Sequence, residues 1–355
     1  MSVLPRYINA IWTSNSGVEL SNAVVLRYFE TVLKRLPLSV ADFESLRDRI
    51  RFYLVGERTR FGVPGWDTLT DFRMRALLYE TEAEKALGNL ADQIRALPAM
   101  KHVIFDAIVA TTATGHLMPG LSYRMASRLA ECLKPDAMLL DLGGVGCTGG
   151  VKALNLARAL DDGLDNLLIV SVELPTTLFR SDTIEPDVWQ GNCTFGDGAM
   201  ALWVSTRAEN GTMALCLSDL RYTFEVGRGL DLIRWGYEDY YTFRLADEKT
   251  FENSVLDRMT NALEQAEPVW RDTPHWAIHP AAIPLMLRLS RKLGLDRETL
   301  GPSAEHYQRY SNMSSASIFY ILKDIAAMVP EQTPINLLTM GAGFNVLYGQ
   351  VVKER

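Results

Sequence analysis

The 355-residue chain has few cysteines, no long apolar run and no excess of basic residues. Its four cysteines, Cys132, Cys147, Cys193 and Cys216, form no Cys-x-x-Cys pair and no framework spacing, so we expect free thiols in a reducing compartment, the cytoplasm. No apolar stretch reaches about 18 residues and the first residues lack the pattern of a signal peptide, which predicts no membrane contact. The formal net charge of −7 argues against a nucleic-acid binder.

The chain also lacks a Pro- or Ser-rich linker and any low-complexity tract, which predicts one continuous body. Its 48% hydrophobic residues can bury a large core. A helical period begins at SNAVVLRYFETVLKRL and continues to about Leu90, and strand and helix patterns alternate from HVIFDAIVATT onwards. A similar alternation runs from HWAIHP to INLLTMGAG. The pattern therefore predicts an α/β protein with two related halves, residues 1–205 and 206–355.

Cys147 lies in AMLLDLGGVGCTGGVKALNLARAL, where an apolar strand ends in a glycine-dense turn and a helix begins directly behind the thiol. A helix N-terminus presents unpaired N–H groups and the positive end of the dipole, which favour a thiolate. The segment thus predicts an activated nucleophile, and the alternative is a buried cysteine that fills space beside glycines. The corresponding turn of the second half, YSNMSSAS, carries Asn312. We expect polar groups at these two matching turns to converge.

The same turn permits a rival interpretation. Gly144, Gly146 and Gly149 satisfy Gly-x-Gly-x-x-Gly between a strand and a helix, and Glu173 ends the next strand, as in a dinucleotide site. The motif lies in the middle of the chain, and the residue between its second and third glycines is a cysteine. Both features disfavour a dinucleotide.

A metal site is a second rival. His275 and His279 in HWAIHP are four residues apart, as zinc ligands on a helix can be. However, Trp276 stands where the zinc protease motif has glutamate, and Pro280 disfavours a continuing helix. No metal is therefore expected.

Between Lys101 and Asn345 the chain carries the distinctive segments TTATGHLMPG, GCTGGVKALNLARAL, SVELPTTLFRSD, GNCTFGDGAMAL, WAIHP and YSNMSSASIFYIL. In this order they resemble motifs of the type III polyketide synthases of the chalcone synthase kind, condensing enzymes of the thiolase superfamily. The presence of cysteine, histidine and asparagine, each in its own motif, makes the resemblance specific. The first hundred residues could as well belong to a ketoacyl carrier-protein synthase of the chain-initiating class.

The resemblance implies a homodimer with a thiolase fold, five αβαβα layers built from two duplicated halves. It also implies Cys-dependent decarboxylative Claisen condensation between an acyl thioester and a malonyl thioester. The nucleophile of the family falls on Cys147, and its histidine and asparagine fall on His279 and Asn312, which would donate hydrogen bonds to the malonyl thioester carbonyl. No bound cofactor is expected, because the substrates are coenzyme A or acyl-carrier-protein thioesters.

The resemblance also implies residues that contact the substrate. Phe195 and Phe243 match two aromatic gatekeepers, and Met118 matches a methionine that a dimer partner inserts into the neighbouring cavity. Core packing is the alternative for all three. The N–H groups around Gly343, in the late GAGFN loop, and that of Cys147 are candidates for an oxyanion hole.

Arginines cluster in ESLRDRIRFYLVGERTRFG, where plant members of the family have a lysine-rich coenzyme A entrance. We expect Arg58 and Arg60 to meet the phosphates of coenzyme A or of a carrier-protein pantetheine arm. The alternative is a solvated face with acidic neighbours.

Some segments depart from the family pattern, and these leave the starter group open. Ala281 and Ala282 follow the histidine and proline where the family has two glycines, and Pro175 and Leu178 align with small threonines that shape the cavity. Two other functions remain possible: an acyltransferase on the same fold that uses Cys147 and His279 without decarboxylation, and a non-catalytic partner subunit. Asn312 favours condensation over the first, and the intact Cys, His and Asn set argues against the second.

Overall fold

The computed structural model describes residues 5–160, 163–224, 229–237, 239–246, 248–264 and 273–354. Within these ranges the strands are β1 (Arg6–Ser14), β2 (Val18–Ser21), β3 (Thr59–Gly62), β4 (Phe105–Thr111), β5 (Leu133–Leu142), β6 (Asn166–Glu173), β7 (Gly198–Ser205), β8 (Leu215–Phe224), β9 (Ile233–Tyr237), β10 (Tyr241–Leu245), β11 (Trp276–Ile278), β12 (Thr333–Gly341) and β13 (Asn345–Lys353). The helices are α1 (Asn22–Leu33), α2 (Val40–Tyr53), α3 (Phe72–Ala96), α4 (Leu121–Arg128), α5 (Gly149–Ala159), α6 (Pro186–Thr194), α7 (Gly229–Leu232), α8 (Glu248–Glu264), α9 (Ile283–Leu293), α10 (Arg297–Tyr310) and α11 (Ser317–Met328). None of these helices is both long enough and apolar enough to cross a bilayer.

Nine strands form one mixed sheet in the order β11-β12-β13-β8-β1-β7-β6-β4-β5. β4 is parallel to both β5 and β6, and β11 is parallel to β12. β1 is the central strand and joins the two halves of the sheet, because it pairs with β7 over most of its length and with β8 at its beginning. Strands from the first part of the chain thus lie on one side of β1, and strands from the last part lie on the other.

The side chains of the first part alternate between two apolar layers, as the two-residue period of a strand requires. On β6, Leu168 and Val170 are in the cluster that includes α1, α2, α3 and α4. Leu167 and Ile169, from the same strand, are in the cluster that includes α5 and α11. The first set of strands therefore lies between outer helices and the pair α5 and α11.

The second part repeats this arrangement. On β12, Ile335 and Leu337 are in the cluster with α5 and α11, whereas Leu338 and Met340 are in a third cluster with α8, α9 and α10. The layers thus follow the order α, β, α, β, α, with α5 and α11 at the centre.

Most predicted elements form where their patterns place them, with one notable difference. Instead of a continuous helical region up to Leu90, the chain forms β3 between α2 and α3, and β3 pairs with β2. The buried residues of β3 are Arg60 and Gly62. Because neither is an apolar residue, the two-residue period of this strand is not visible in the sequence.

Candidate active site

A cavity of about 600 Å³ lies where the two parts of the fold meet, and Cys147, His279 and Asn312 all line it. Cys147 stands at the turn before α5, His279 directly after β11, and Asn312 in the turn between α10 and α11. The structure therefore brings together the three residues that the sequence placed in separate motifs.

The turn of Cys147 is held closely by the loop after β12. Gly146 adopts φ +57°, a conformation that favours glycine, and a Cβ there would stand 3.0 Å from Cβ of Ala342. A Cβ at Gly341 would lie 3.2 Å from the backbone nitrogen of Cys147. The GAGFN loop, including Gly343, thus lies against the backbone of the nucleophile and also lines the cavity.

Cys147 as a whole residue is partly exposed where it lines the cavity, but its thiol is buried. Burial raises the pKa of this thiol to about 12, and the charge of Glu173 raises it further, although a hydrogen bond with Ser314 lowers it. A helix N-terminus contributes about 0.3–1 kcal/mol, less than one pKa unit. Burial therefore outweighs the dipole and favours the thiol, in contrast to the thiolate expected from the turn alone.

His279 is buried, and its backbone N–H donates to the carbonyl of Leu338 at 2.8 Å, which extends the pairing of β11 with β12. Burial lowers the pKa of the imidazole to about 3, so the ring is neutral at pH 7. Nδ1 is buried and has no hydrogen-bond partner among the described residues. Because His279 lines the cavity, Nε2 is the nitrogen left to act there.

Asn312 is fixed through nearly all of its polar atoms. Its N–H donates to the carbonyl of Thr194 and its carbonyl accepts from the N–H of Gly196, both at 3.1 Å. Its side-chain Oδ1 accepts from the N–H of Ser314 at 2.8 Å. Nδ2, a double hydrogen-bond donor, has no partner among the described residues and is the polar atom that Asn312 can offer to the cavity it lines.

Glu173 lies behind the thiol and is fully buried. Its carboxylate accepts hydrogen bonds from the N–H of Ala113 at 3.0 Å, from Oγ1 of Thr114 at 3.2 Å and from Oγ of Ser315. Glu173 has no exposed surface and does not line the cavity, so it cannot reach a ribose hydroxyl there, which argues against the dinucleotide interpretation. The sequence pointed to Glu173 only as part of that fingerprint and gave no sign of its place beside Cys147.

Two phenylalanines lie side by side in the lining of the cavity. The rings of Phe195 and Phe243 meet edge to face at 72°, with centroids 5.3 Å apart. Phe243 belongs to the β9–β10 hairpin, which also lines the cavity with Ile233, Arg234, Trp235, Tyr237, Tyr241 and Leu245. All of these positions except Arg234 follow the two-residue period of a strand, so the hairpin presents a largely apolar face to the cavity, with one cationic residue among the lining.

Two further positions singled out in the sequence, Pro175 and Leu178, also line the cavity. Met118 does not line it, and 96% of its side chain is exposed in the single chain. The alternative that Met118 is a core residue is therefore wrong.

Arg58 and Arg60 require a correction. Both are buried, at 4% and 0% exposure, and neither lines the cavity. Arg58 donates to the carbonyl of Tyr53 and lies 4.5 Å from the ring centroid of Tyr307, and Arg60 donates to backbone carbonyls of α6. Guanidinium groups enclosed in this way have no surface to offer to the phosphates of a thioester donor.

The described residues contain no group of three or more His, Cys, Asp or Glu side chains that could hold a metal ion. His275 is not among the residues that line the cavity with His279.

Comparison with known proteins agrees with this geometry. The family model for the C-terminal domain of chalcone and stilbene synthases matches residues 239–345. A bacterial type III polyketide synthase, 1,3,6,8-tetrahydroxynaphthalene synthase from Streptomyces coelicolor A3(2), has a TM-score of 0.84 at 20% identity, covering 98% of this chain and 99% of that chain. The C-terminal type III polyketide synthase domain of Steely1 from Dictyostelium has a TM-score of 0.82 at 16% identity, covering 99% and 100%.

A type III pentaketide synthase from Neurospora crassa is also similar, with a TM-score of 0.78 at 20% identity, covering 98% of this chain and 100% of that chain. These structures match almost the whole chain. They confirm the predicted thiolase fold and, with the match over residues 239–345, the resemblance to the type III polyketide synthases.

Proposed function

We propose that this protein is a condensing enzyme that joins an acyl thioester to a malonyl thioester by Cys-dependent decarboxylative Claisen condensation. The observation that carries the proposal is Asn312, which shares one cavity with Cys147 and His279 and whose Nδ2 is its one polar atom without a partner among the described residues. Plain acyl transfer needs a nucleophile and a proton carrier, but it has no need of a second fixed donor.

Acylation is the first step. Sγ of Cys147 attacks the thioester carbonyl carbon, and the bond from that carbon to the donor sulfur breaks. The neutral imidazole of His279 can accept the thiol proton on Nε2 as the new bond forms and pass it to the departing thiolate, and proton exchange then restores the tautomer with its hydrogen on Nε2 before condensation. The N–H of Cys147 and the adjoining Gly341–Gly343 loop are suited to hold the oxyanion of the tetrahedral intermediate.

Condensation is the second step. The bond from the malonyl methylene carbon to its carboxylate breaks, carbon dioxide leaves, and the electron pair forms an enolate. Nδ2 of Asn312 and Nε2–H of His279 would donate to the enolate oxygen, each contributing about 2.7–4 kcal/mol to the transition state. The enolate carbon then attacks the acyl group on Cys147, and the thiolate that leaves regains a proton.

The natural donor is proposed to be a coenzyme A thioester. CsyB, a protein with 20% sequence identity to this chain and a TM-score of 0.80, has been solved in complex with CoA-SH. An acyl-carrier-protein donor remains the alternative. No bound cofactor is proposed, because both substrates bring their own activated groups.

A homodimer is proposed for two reasons. Met118, with 96% of its side chain exposed, is an apolar residue available to a partner. β5 is an edge strand of the nine-stranded sheet and carries the exposed Met138. A cytoplasmic location, expected from the cysteines, stays a prediction.

The test is incubation of the purified protein with an acyl-CoA panel and carboxyl-labelled malonyl-CoA. Condensation predicts an acyl adduct on Cys147 by intact mass and peptide mapping, followed by release of labelled carbon dioxide. Turnover of one acyl donor with an alcohol or amine, without carbon dioxide, would identify the acyltransferase instead. Absence of any adduct with every donor would favour the non-catalytic subunit.

A further inference from the structure

The C-terminal turn of α6 ends against the catalytic turn of Asn312. The last four carbonyls of an α-helix lack partners within the helix, and when buried they must find others. Phe195 N–H bonds the carbonyl of Gly191 at 3.1 Å, and the N–H of Asn312 bonds that of Thr194 at 3.1 Å. The two remaining carbonyls belong to Asn192 and Cys193.

Arg60 satisfies both of these carbonyls. Nη1 donates to the carbonyl of Asn192 at 3.2 Å, and Nη2 donates to that of Cys193 at 2.8 Å. Nη1 also donates to the carbonyl of Phe195 at 2.8 Å, just beyond the helix. The guanidinium of Arg60 and the backbone N–H of Asn312 therefore both satisfy carbonyls at the C-terminus of α6.

The guanidinium is itself held in place. It is fully buried, and Nη2 donates to Oδ1 of Asn22 at 3.2 Å. Nδ2 of Asn22 is engaged in turn with the carbonyls of Leu54 and Gly56, at 3.0 Å and 3.2 Å. Burial lowers the pKa of Arg60 to about 10, so the side chain keeps its charge at neutral pH, and a cation at a helix C-terminus is favourable.

We propose that Arg60 is a positioning residue for condensation: by tying the end of α6, it fixes Phe195 and the backbone of Asn312, and so the direction of the Asn312 amide. The inference rests on the proposed function. Arg60 does not line the cavity, so it acts through Asn312 and Phe195 and not on the substrate. Cys147 lies on a separate turn before α5, outside this set of bonds.

The test is Arg60→Lys, which keeps the charge but loses the planar fork that reaches several carbonyls. Because a misplacement of about 1 Å can cost about 10²-fold in rate, we expect kcat for carbon dioxide release to fall about 10–10²-fold. The rate of Cys147 acylation and the KM for malonyl-CoA should stay close to their wild-type values. Arg58→Lys is the matched control, since Arg58 is buried two residues away and donates to Tyr53, outside α6. Arg58→Lys should not slow carbon dioxide release relative to acylation.

Asn22→Ala is a second variant, in case Arg60→Lys does not fold. It retains Arg60 but removes the oxygen that orients the guanidinium. Carbon dioxide release should again fall more than acylation, but by a smaller factor than in Arg60→Lys. Equal losses of acylation and decarboxylation in Arg60→Lys would overturn the Arg60 assignment. A selective loss of decarboxylation in Arg58→Lys would overturn it too. A wild-type protein that releases no carbon dioxide would instead overturn the proposed function.

Discussion

Gly341 lies against the backbone of Cys147, and a side chain at this glycine would have to share the space of the nucleophile turn. A Cβ there would stand 3.0 Å from the backbone nitrogen of Thr148 and 3.2 Å from that of Cys147. Contacts this short require one neighbour to move by a few tenths of an ångström. The last strand-to-strand loop of the fold therefore sets where the N–H of Cys147 can point.

We expect Gly341→Ala to slow acylation of Cys147 by about 10-fold, because small displacements of reacting groups have large effects on rate. The matched control is Gly301→Ala in α10, where a Cβ would meet nothing within 4 Å. This control should leave acylation unchanged. Stopped-flow measurement gives the acylation rates, and thermal melting checks that both variants fold. Wild-type acylation in Gly341→Ala would contradict the role given to this contact.

Cys147 should react as a buried thiol and not as a resting thiolate. Because burial raises the pKa of its thiol to about 12, alkylation by iodoacetamide should accelerate about tenfold per pH unit from pH 7 to 10. Cys147→Ala should remove both the acyl adduct and activity, whereas Cys132→Ala should keep both. An alkylation rate that levels off near pH 7 would show that the thiolate is already present.

The elements and the three catalytic candidates could be predicted because their information is local. The strand before Cys147, the glycine turn and the following helix lie in one continuous segment, and Asn312 has a similar segment of its own. Periodicity then places both turns at the ends of elements, and the meeting of the two parts of the fold brings the turns together.

The parts that could not be predicted depend on burial by distant segments. Arg60 stands in a stretch rich in arginine and acidic residues, which indicates an exposed face, yet strand β3 turns it toward the carbonyls of α6. The pKa of Cys147 likewise depends on residues such as Glu173 and Ser314 that lie far away in sequence. The helix N-terminus behind the thiol can be predicted from the sequence, but the burial of the thiol cannot.

Phe243 should control which acyl chains fit. Its ring meets that of Phe195 edge to face, and a Cβ at Gly191 would approach it to 2.9 Å, so the ring is packed closely against α6 where it lines the cavity. Phe243→Ala should therefore enlarge the cavity and shift the products toward longer starters or more extensions, as measured by liquid chromatography and mass spectrometry. Phe224→Ala, at a phenylalanine that is 55% exposed, is the control and should leave the products unchanged. An unaltered product profile in Phe243→Ala would argue for simple core packing.

Glu173 should make the protein less stable as the pH rises. Burial raises the pKa of its carboxyl from 4.5 to about 7, so the folded state binds this proton more tightly than the unfolded state. The resulting stabilisation is complete below about pH 4.5 and is lost as the pH rises through about 7, with a magnitude on the order of 3 kcal/mol.

Glu173→Gln should therefore flatten the pH dependence of the free energy of unfolding, measured in urea at pH 5, 6, 7 and 8. Part of the slope should persist, because burial also raises the pKa of Asp197 to about 7. The buried imidazoles of His279 and His306, with pKa values lowered to about 3, act in the opposite direction and are unchanged in the variant. Identical slopes for the wild type and Glu173→Gln would contradict this account of Glu173.

Asn312 should separate acylation from condensation. The thiol attack uses Cys147 and His279, so Asn312→Ala should still carry the acyl group on Cys147. Removing Nδ2 takes away one donor to the enolate oxygen, and release of carbon dioxide from labelled malonyl-CoA should fall by roughly 10²–10³-fold. His279→Ala should lose the same step and also acylate more slowly, because the imidazole carries the thiol proton.

Asn89→Ala, on α3 and outside the cavity lining, is the control for loss of an amide and should decarboxylate like the wild type. If Asn312→Ala acylates and decarboxylates at wild-type rates, the free Nδ2 has no part in the chemistry, and the case for condensation over acyl transfer loses its main support.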